Sequence, residues 1–273
     1  MNMYKKTVII IALLALVAIP VFAKRGNKVT IAGSTTVLPI AQSCAEEFMN
    51  CHPDVNISVR GGGSSVGIAS IIAGTVDIGD ASRHIKDKEL VQAREMGINP
   101  VENVVANDGI VVIVNPANSI KALSLDQVKD IYTGKFLNWK EIGGPNMPIV
   151  VISRDVSSGT FEVFKEKVMQ GTAGIDGALM LASNNAVVST VASTPGAIGY
   201  AGLGYVTSSI KVLSIEGVMP SKKTIQSGEY PISRTLHMYT NGKAKGNVKL
   251  FLDFVLSPAG QKIVEAQGFV RAN

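Results

Sequence analysis

The chain has 273 residues, 46% of them hydrophobic and 17% charged, with a formal net charge of +5. That length permits a large core in one big domain or two modest ones, and the composition excludes a disordered chain. The positive excess is too small and too scattered for a nucleic-acid surface.

Lys5 and Lys6 precede the apolar run Val8 to Ile19, Pro20 breaks it, and Val21-Phe22-Ala23 carries the small-residue pattern of a cleavage site. Residues 1–23 therefore read as a secretory signal, and the protein as exported to the periplasm or the extracytoplasmic face. The run is short of the ~20 residues of a spanning helix. No cysteine stands near Ala23 to carry a lipid. Removing Lys5 and Lys6 with the leader lowers the formal charge to +3, which favours an anionic ligand no more than a neutral one.

Val29 to Ala32 reads as a strand, and Gly33-Ser34-Thr35-Thr36 hands over to a helix whose apolar face is Leu38, Ala41, Ala45 and Phe48. Pro39 falls in its first turn, where proline is tolerated. Cys44 and Cys51 lie seven apart; if the helix runs through both they sit about 10 Å apart along the axis, too far to bridge. A disulfide requires the helix to end before Cys51, which Asn50 would allow. Val55, Ile57 and Val59 alternate as a strand. Gly61-Gly62-Gly63-Ser64-Ser65 then opens a helix with Val66, Ala69, Ile72 and Ala73 at helical spacing, stopped at Gly74. Val76-Asp77-Ile78 is a short strand running into the turn Asp80-Ala81-Ser82-Arg83.

The run Gly109 to Val114 is a strongly apolar strand and reads as the connection into a second domain. That domain holds the helix Leu125 to Tyr132, the turn Gly143-Gly144-Pro145, an apolar strand at Ile149 to Ile152, the pattern around Ala178 to Val191, and the turn Pro195-Gly196 before a strand at Ala197 to Tyr200. Trp139 reads as a packing residue, and Lys121, Lys129, Lys135 and Lys140 as a solvated face. Ser233 to Thr240 alternates with Leu236 and Met238 on one face, the strand that returns to the first domain. Helices at Val248 to Leu256 and Pro258 to Ala266 close it. Strands alternating with helices imply mainly parallel sheets flanked by helices, with ligands outside the carboxyl ends of the strands.

At Ser153-Arg154-Asp155-Val156-Ser157-Ser158-Gly159-Thr160-Phe161 a strand gives way to a helix marked by Phe161, Phe164 and Val168. Ser158 and Thr160 suit the helix start, Gly159 lets another group approach the backbone, and Arg154 adds a fork of donors. First-turn N–H groups attract anions. The segment describes an oxyanion seat, and the same construction recurs at Thr35 and Ser64.

The segments Gly33 to Pro39, Gly63 to Gly67, Val76 to Gly79, Asn138-Trp139 and Arg154 to Thr160 occur in an order and spacing that resemble the phosphate-binding proteins of the phosphate-specific ABC transporters. The resemblance covers nearly the whole chain after the leader. It implies an α/β fold of the two-lobed type II kind joined by two crossing strands, with lobe 1 at 24–111 plus 235–273 and lobe 2 at 112–234. It implies inorganic phosphate in the cleft, delivery to a membrane permease, a monomer, no cofactor and no enzymatic turnover. Phosphate contacts carry over to Thr35, Thr36, Ser64, Ser82, Arg154, Ser158, Gly159 and Thr160, with Ser34 and Asp80 as further candidates. Arg154 is expected to be the one full positive charge on the ligand. The family's usual carboxylate acceptor for the phosphate proton is replaced by Ser82, with Asp80 two residues earlier; a hydroxyl can also accept, but the usual basis for rejecting sulfate is altered.

Other oxyanions, namely sulfate, molybdate or tungstate, fit the same hydroxyl-and-helix chemistry. Gly63-Ser64-Ser65-Val66-Gly67 also matches a nucleophile elbow, which would make Ser65 the nucleophile of an esterase and His237 its base. That reading leaves Arg154 and the other hydroxyl turns without a role. The P-loop lysine pattern is absent, and so is a metal-type cysteine spacing. His52, His84 and His237 stand alone in the sequence and read as ordinary polar residues.

Overall fold

The computed structural model describes residues 27–272; the expected leader, 1–23, lies outside them. The first half of the chain builds three strands in parallel, β1 (Lys28–Gly33), β2 (Asn56–Gly61) and β3 (Ile78–Ala81), with β1 in the middle. Helix α1 (Leu38–Cys51) connects β1 to β2, and α2 (Ser64–Ile72) connects β2 to β3. Val29, Ile31 and Ile78 pack on one face against Ile40, Ala41, Cys44 and Phe48 of α1, while Ala32 and Ala81 pack on the other against Ile68, Ile71 and Ile72 of α2. Both faces are covered, as right-handed βαβ crossovers require.

Strand β3 begins later than Val76. The Asp77 carboxylate accepts hydrogen bonds from the Thr30 backbone N–H and hydroxyl, both at 2.8 Å, the Asp77 N–H donates to the Thr30 carbonyl at 2.9 Å, and the strand runs on through Asp80 and Ala81. A helix α3 (Asp87–Glu95) follows. The chain then enters β4 (Pro100–Val114), far longer than the apolar run suggests. Its first part pairs antiparallel with β11 (Ser233–Asn241) and its second, Ile110 to Val114, with β8 (Ala197–Gly202). Ile110, Val112 and Val114 face one cluster, Val111 and Ile113 the other. Burial on both faces explains the unbroken apolar run.

Around this second half the chain adds β5 (Ala122–Leu123), α4 (Leu125–Tyr132), β6 (Val150–Arg154), α5 (Gly159–Lys167), β7 (Leu179–Leu181) and α6 (Asn184–Ser193) before β8. Strands β8, β6 and β7 are parallel. Helices α4 and α5 lie under one face, with Val128, Ile131, Val163 and Phe164 in the core, and α6 under the other through Val187, Val188 and Val191. After β9 (Lys211–Val212), β10 (Ser214–Ile215) and α7 (Lys222–Gln226), β11 returns to the first half. Helices α8 (Gly246–Leu256) and α9 (Pro258–Ala266) and strand β12 (Val270–Arg271) complete it. The sheet order is β2-β1-β3-β11-β4-β8-β6-β7, with β9 and β12 also paired to β4. Each lobe is thus parallel at its outer strands and antiparallel where β4 and β11 cross.

Several expectations are settled locally. Helix α1 runs through Cys51; Cys44 is buried, Cys51 exposed, and both are free thiols. Trp139 is fully buried and donates its indole N–H to the Gly196 carbonyl at 2.9 Å. Lys121, Lys135 and Lys140 are exposed and Lys129 is half-buried.

Candidate functional site

The hydroxyl turns meet where the two lobes face each other. From the first lobe come Ser34, Thr35 and Thr36 after β1, Ser64 at the first position of α2, and Ser82 after β3; from the second come Arg154 at the end of β6 and Ser158, Gly159 and Thr160 at the start of α5. Every side chain among them is buried. Thr36 and Thr160 hydroxyls lie 3.1 Å apart across the cleft, and Ser64 and Ser82 hydroxyls 3.2 Å apart within the first lobe.

Local sequence explains each placement. Ser158 caps α5, its Oγ accepting the Phe161 N–H at 3.2 Å. The turn before it is held by Asp155, whose carboxylate accepts from the Ser157 N–H at 2.8 Å. Ser34 accepts from the Thr36 N–H at 3.1 Å and so shapes the turn into α1 from below. Gly159 is dictated by close approach: a Cβ there would stand 2.3 Å from Ser64 Oγ and 2.7 Å from Ser82 Oγ. Gly63 is dictated twice, by a φ of +96° and by Ser157, whose Oγ would be 2.5 Å from an added Cβ. Ser157 in turn donates to the Gly62 carbonyl and accepts the Ser65 N–H at 3.0 Å, so the two helix starts are stitched together.

The direction of the hydrogen bonds decides what the cluster can bind. Thr35 Oγ1 receives N–H groups from Arg154 and from Asn184, each at 3.2 Å. Thr36 Oγ1 receives Asn184 at 3.1 Å and Arg234 at 3.3 Å, Thr160 Oγ1 receives Arg234 at 3.0 Å, and Ser64 Oγ receives the Ser82 N–H at 2.9 Å. A hydroxyl has one hydrogen and two lone pairs. With lone pairs committed to N–H donors, these hydroxyls are biased to donate, and the cluster is built for a ligand that accepts. Ser82 Oγ is the exception, facing only the Ser64 hydroxyl.

Arg154 is 1% exposed. Its Nε donates to the Leu181 carbonyl and its Nη2 to the Ala182 carbonyl, both at 3.0 Å, and its Nη1 has no partner. Among the described residues no carboxylate forms a salt bridge with it. Burial draws its guanidinium below the ordinary value, partly offset by Tyr200 and Asp155, but arginine stays a cation in proteins. Ser64, Thr160 and Asn184 of the cluster sit in the first turns of α2, α5 and α6, whose free N–H groups add partial positive charge. This is an anion-binding arrangement with one uncompensated charge.

Two contributors, Asn184 and Arg234, were not legible as site residues. Asn184 opens α6 after the cap Ser183, the same strand-turn-helix construction as the other turns, and that pattern was the available signal. Arg234 shares the face of Leu236 and Met238 on β11, so alternation places it on the buried side. A second buried arginine thus touches the hydroxyls, but its Nε and Nη2 bind Asp108 Oδ2 at 2.9 and 2.7 Å. Burial raises the Asp108 carboxyl and lowers the Arg234 guanidinium, each opposed by the other's charge. Asp80 is 1% exposed, burial raises its carboxyl well above the usual range, and its Oδ1 has no partner. Alternation puts it on the α1 side of the sheet with Ile78, and its carbonyl accepts the Ser34 N–H at 2.9 Å.

The esterase constellation does not assemble. Ser65 Oγ accepts from Arg83 at 3.1 Å, and the His237 ring faces Thr235 and Glu102 instead of a serine. The reading of three isolated histidines also needs correction: His52 stacks on Phe48, but His84 and His237 lie 4.6 Å apart beside the same Glu102.

A family model described as a PBP superfamily domain matches residues 21–259. The phosphate-binding protein PstS of Bacillus subtilis is 39% identical over 249 residues, covering 90% of this chain and 81% of that one. The chain belongs to the phosphate-binding protein family of the PBP superfamily. A second member, PstS of Borreliella burgdorferi, is 33% identical over 97% of this chain and 98% of its own. A solved structure of a candidate phosphate ABC transporter substrate-binding protein with bound phosphate, from Clostridium perfringens, superposes with a TM-score of 0.85 at 36% identity, covering 90% of this chain and all of that one. An ABC-type phosphate transport receptor from Vibrio cholerae follows at TM-score 0.73 and 30% identity, covering 89% and 99%. The family's two-lobed type II architecture accounts for the double crossing by β4 and β11 and for a site that draws residues from both sides of it.

Proposed function

We propose that this chain binds inorganic phosphate between two lobes, 24–111 plus 235–273 and 112–234, and hands it to the membrane permease of a phosphate ABC transporter. It acts as an exported monomer at the extracytoplasmic face, directed there by residues 1–23, and catalyses no reaction. No helix among the described residues is long and apolar enough to cross a membrane. Phosphate would be held by Arg154, by hydroxyls of Thr35, Thr36, Ser64, Ser82, Ser158 and Thr160, and by the Gly159 N–H, with Ser34 and Asp80 beneath. The relatives' names and the bound phosphate in one solved neighbour support the choice of anion.

One observation carries the reading: Arg154 is a buried cation held by carbonyls and a hydroxyl, with a free Nη1 and no acid. A buried charge is costly unless it is paired, and an oxyanion supplies the partner. Donor-biased hydroxyls suit phosphate oxygens, and Ser82 keeps the capacity to accept the proton that phosphate carries and sulfate lacks. Calorimetric titration with phosphate, then sulfate, tests this. Tight phosphate binding with weak sulfate binding is the expected result, and Ser82→Ala should narrow the gap. Equal affinity for both anions would make the protein a general oxyanion binder.

A further inference from the structure

We propose that His84, Glu102 and His237 form a binding site for one divalent metal ion of the zinc class. One ligand atom from each of the three lies within 4.8 Å of the others. Glu102 Oε1 is 2.9 Å from His84 Nδ1 and 3.1 Å from His237 Nδ1, so both imidazoles converge on one carboxylate oxygen. Two imidazoles and a carboxylate are a donor set that zinc takes at about 2.0–2.2 Å, leaving a fourth position open. A tetrahedral ion needs only small shifts of these side chains.

Two further features point to a ligand and not merely to a salt bridge. His237 is fully buried, yet its Nδ1 makes no hydrogen bond, not even to the carboxylate beside it. Its other nitrogen, Nε2, lies 2.9 Å from the Thr235 hydroxyl. If that nitrogen donates, Nδ1 is left as a lone pair aimed at the cluster, the arrangement that fixes metal-binding histidines. Glu102 is likewise held from behind by the Tyr239 hydroxyl, which donates to it. Nearby cations are already matched, Arg83 with Glu89 at 2.8 Å and Lys86 with Glu162 at 2.7 Å. His84 and His237 line a groove of about 820 Å³, which gives an ion access and room for a water or a small anion in the open position. The metal would tie the segment after Ser82 to both crossing strands.

The test is titration of the tag-free protein with Zn²⁺ in phosphate-free buffer, followed by Co²⁺ with its visible absorption as a coordination readout. One ion per chain and an intense Co²⁺ band are expected. His84 is mostly exposed, so His84→Ala leaves the core intact and should weaken Zn²⁺ by more than the ~10–100-fold that loss of an outer partner costs. Thr235→Val should fall within that ~10–100-fold range. No saturable binding at millimolar Zn²⁺ would overturn the proposal. Unchanged affinity in both His84→Ala and Glu102→Gln would overturn it as well, by placing any ion elsewhere.

Discussion

Arg154 and Arg234 both touch the same hydroxyl cluster, one through Thr35 and the other through Thr36 and Thr160, and both are buried, yet they are solved differently. Arg234 gives two donors to Asp108, and Asp108 is completed by the Leu203 N–H at 2.9 Å. That pair is neutral and closed, a strut between β4 and β11. Arg154 hangs from Leu181 and Ala182 carbonyls, which orient its plane without cancelling its charge. One arginine is therefore structural and presents its leftover N–H groups to Thr36 and Thr160, while the other, proposed above to meet the phosphate, keeps its charge uncompensated. Burial alone does not separate them; the partner's charge does.

The largest effect should come from breaking the strut. Asp108→Ala leaves Arg234 buried without its acid, a loss of roughly 3–5 kcal/mol, and each kcal/mol lowers Tm by ~2–4 °C at this size. Thermal unfolding in phosphate-free buffer should show the drop, and an unchanged Tm would mean the pair contributes nothing.

Arg154→Ala should do the reverse, costing little stability without ligand but weakening phosphate by ~10²-fold or more, because hydrogen bonds to charged groups contribute roughly 1.5–3 kcal/mol each. Lysine in its place should recover only part, since an ammonium lacks the planar fork. If calorimetry finds Arg154→Ala binding like the parent while Ser64→Ala does not, the anion sits elsewhere in the cleft. Thr35→Ala removes one neutral hydrogen bond, about 1 kcal/mol, and should weaken phosphate by about fivefold to tenfold.

The smallest expected change concerns Asp80. Burial raises its carboxyl in the fold, so between the usual carboxylate range and its folded value it stays protonated in the native state and ionised in the unfolded one. Stability is then complete below about pH 4 and falls as pH rises across that window. Asp80→Asn is neutral throughout and should raise Tm at neutral pH, with the advantage vanishing at low pH. A variant that is less stable at every pH would show that the carboxyl is held by partners and not merely buried.

Hydrophobic periodicity alone located α1, α2, α5 and the apolar half of β4, because packing both faces of a sheet leaves a mark on every turn of chain. Local capping preference put Ser64, Ser158 and Thr160 at helix starts, with Arg154 at the end of the strand before them. The first half of β4 went unread: Pro100 to Asp108 mixes Glu102, Asn103, Asn107 and Asp108 with apolar residues, so no period survives. Asp108 and Arg234 are polar there because they meet each other from 126 residues apart, a pairing no local pattern encodes. The same holds for Asn184 on Thr35 and for the two histidines on Glu102. Local chemistry wrote the turns into the sequence, while the compensation of buried charge is a property of the space between elements and was decided only when the lobes came together.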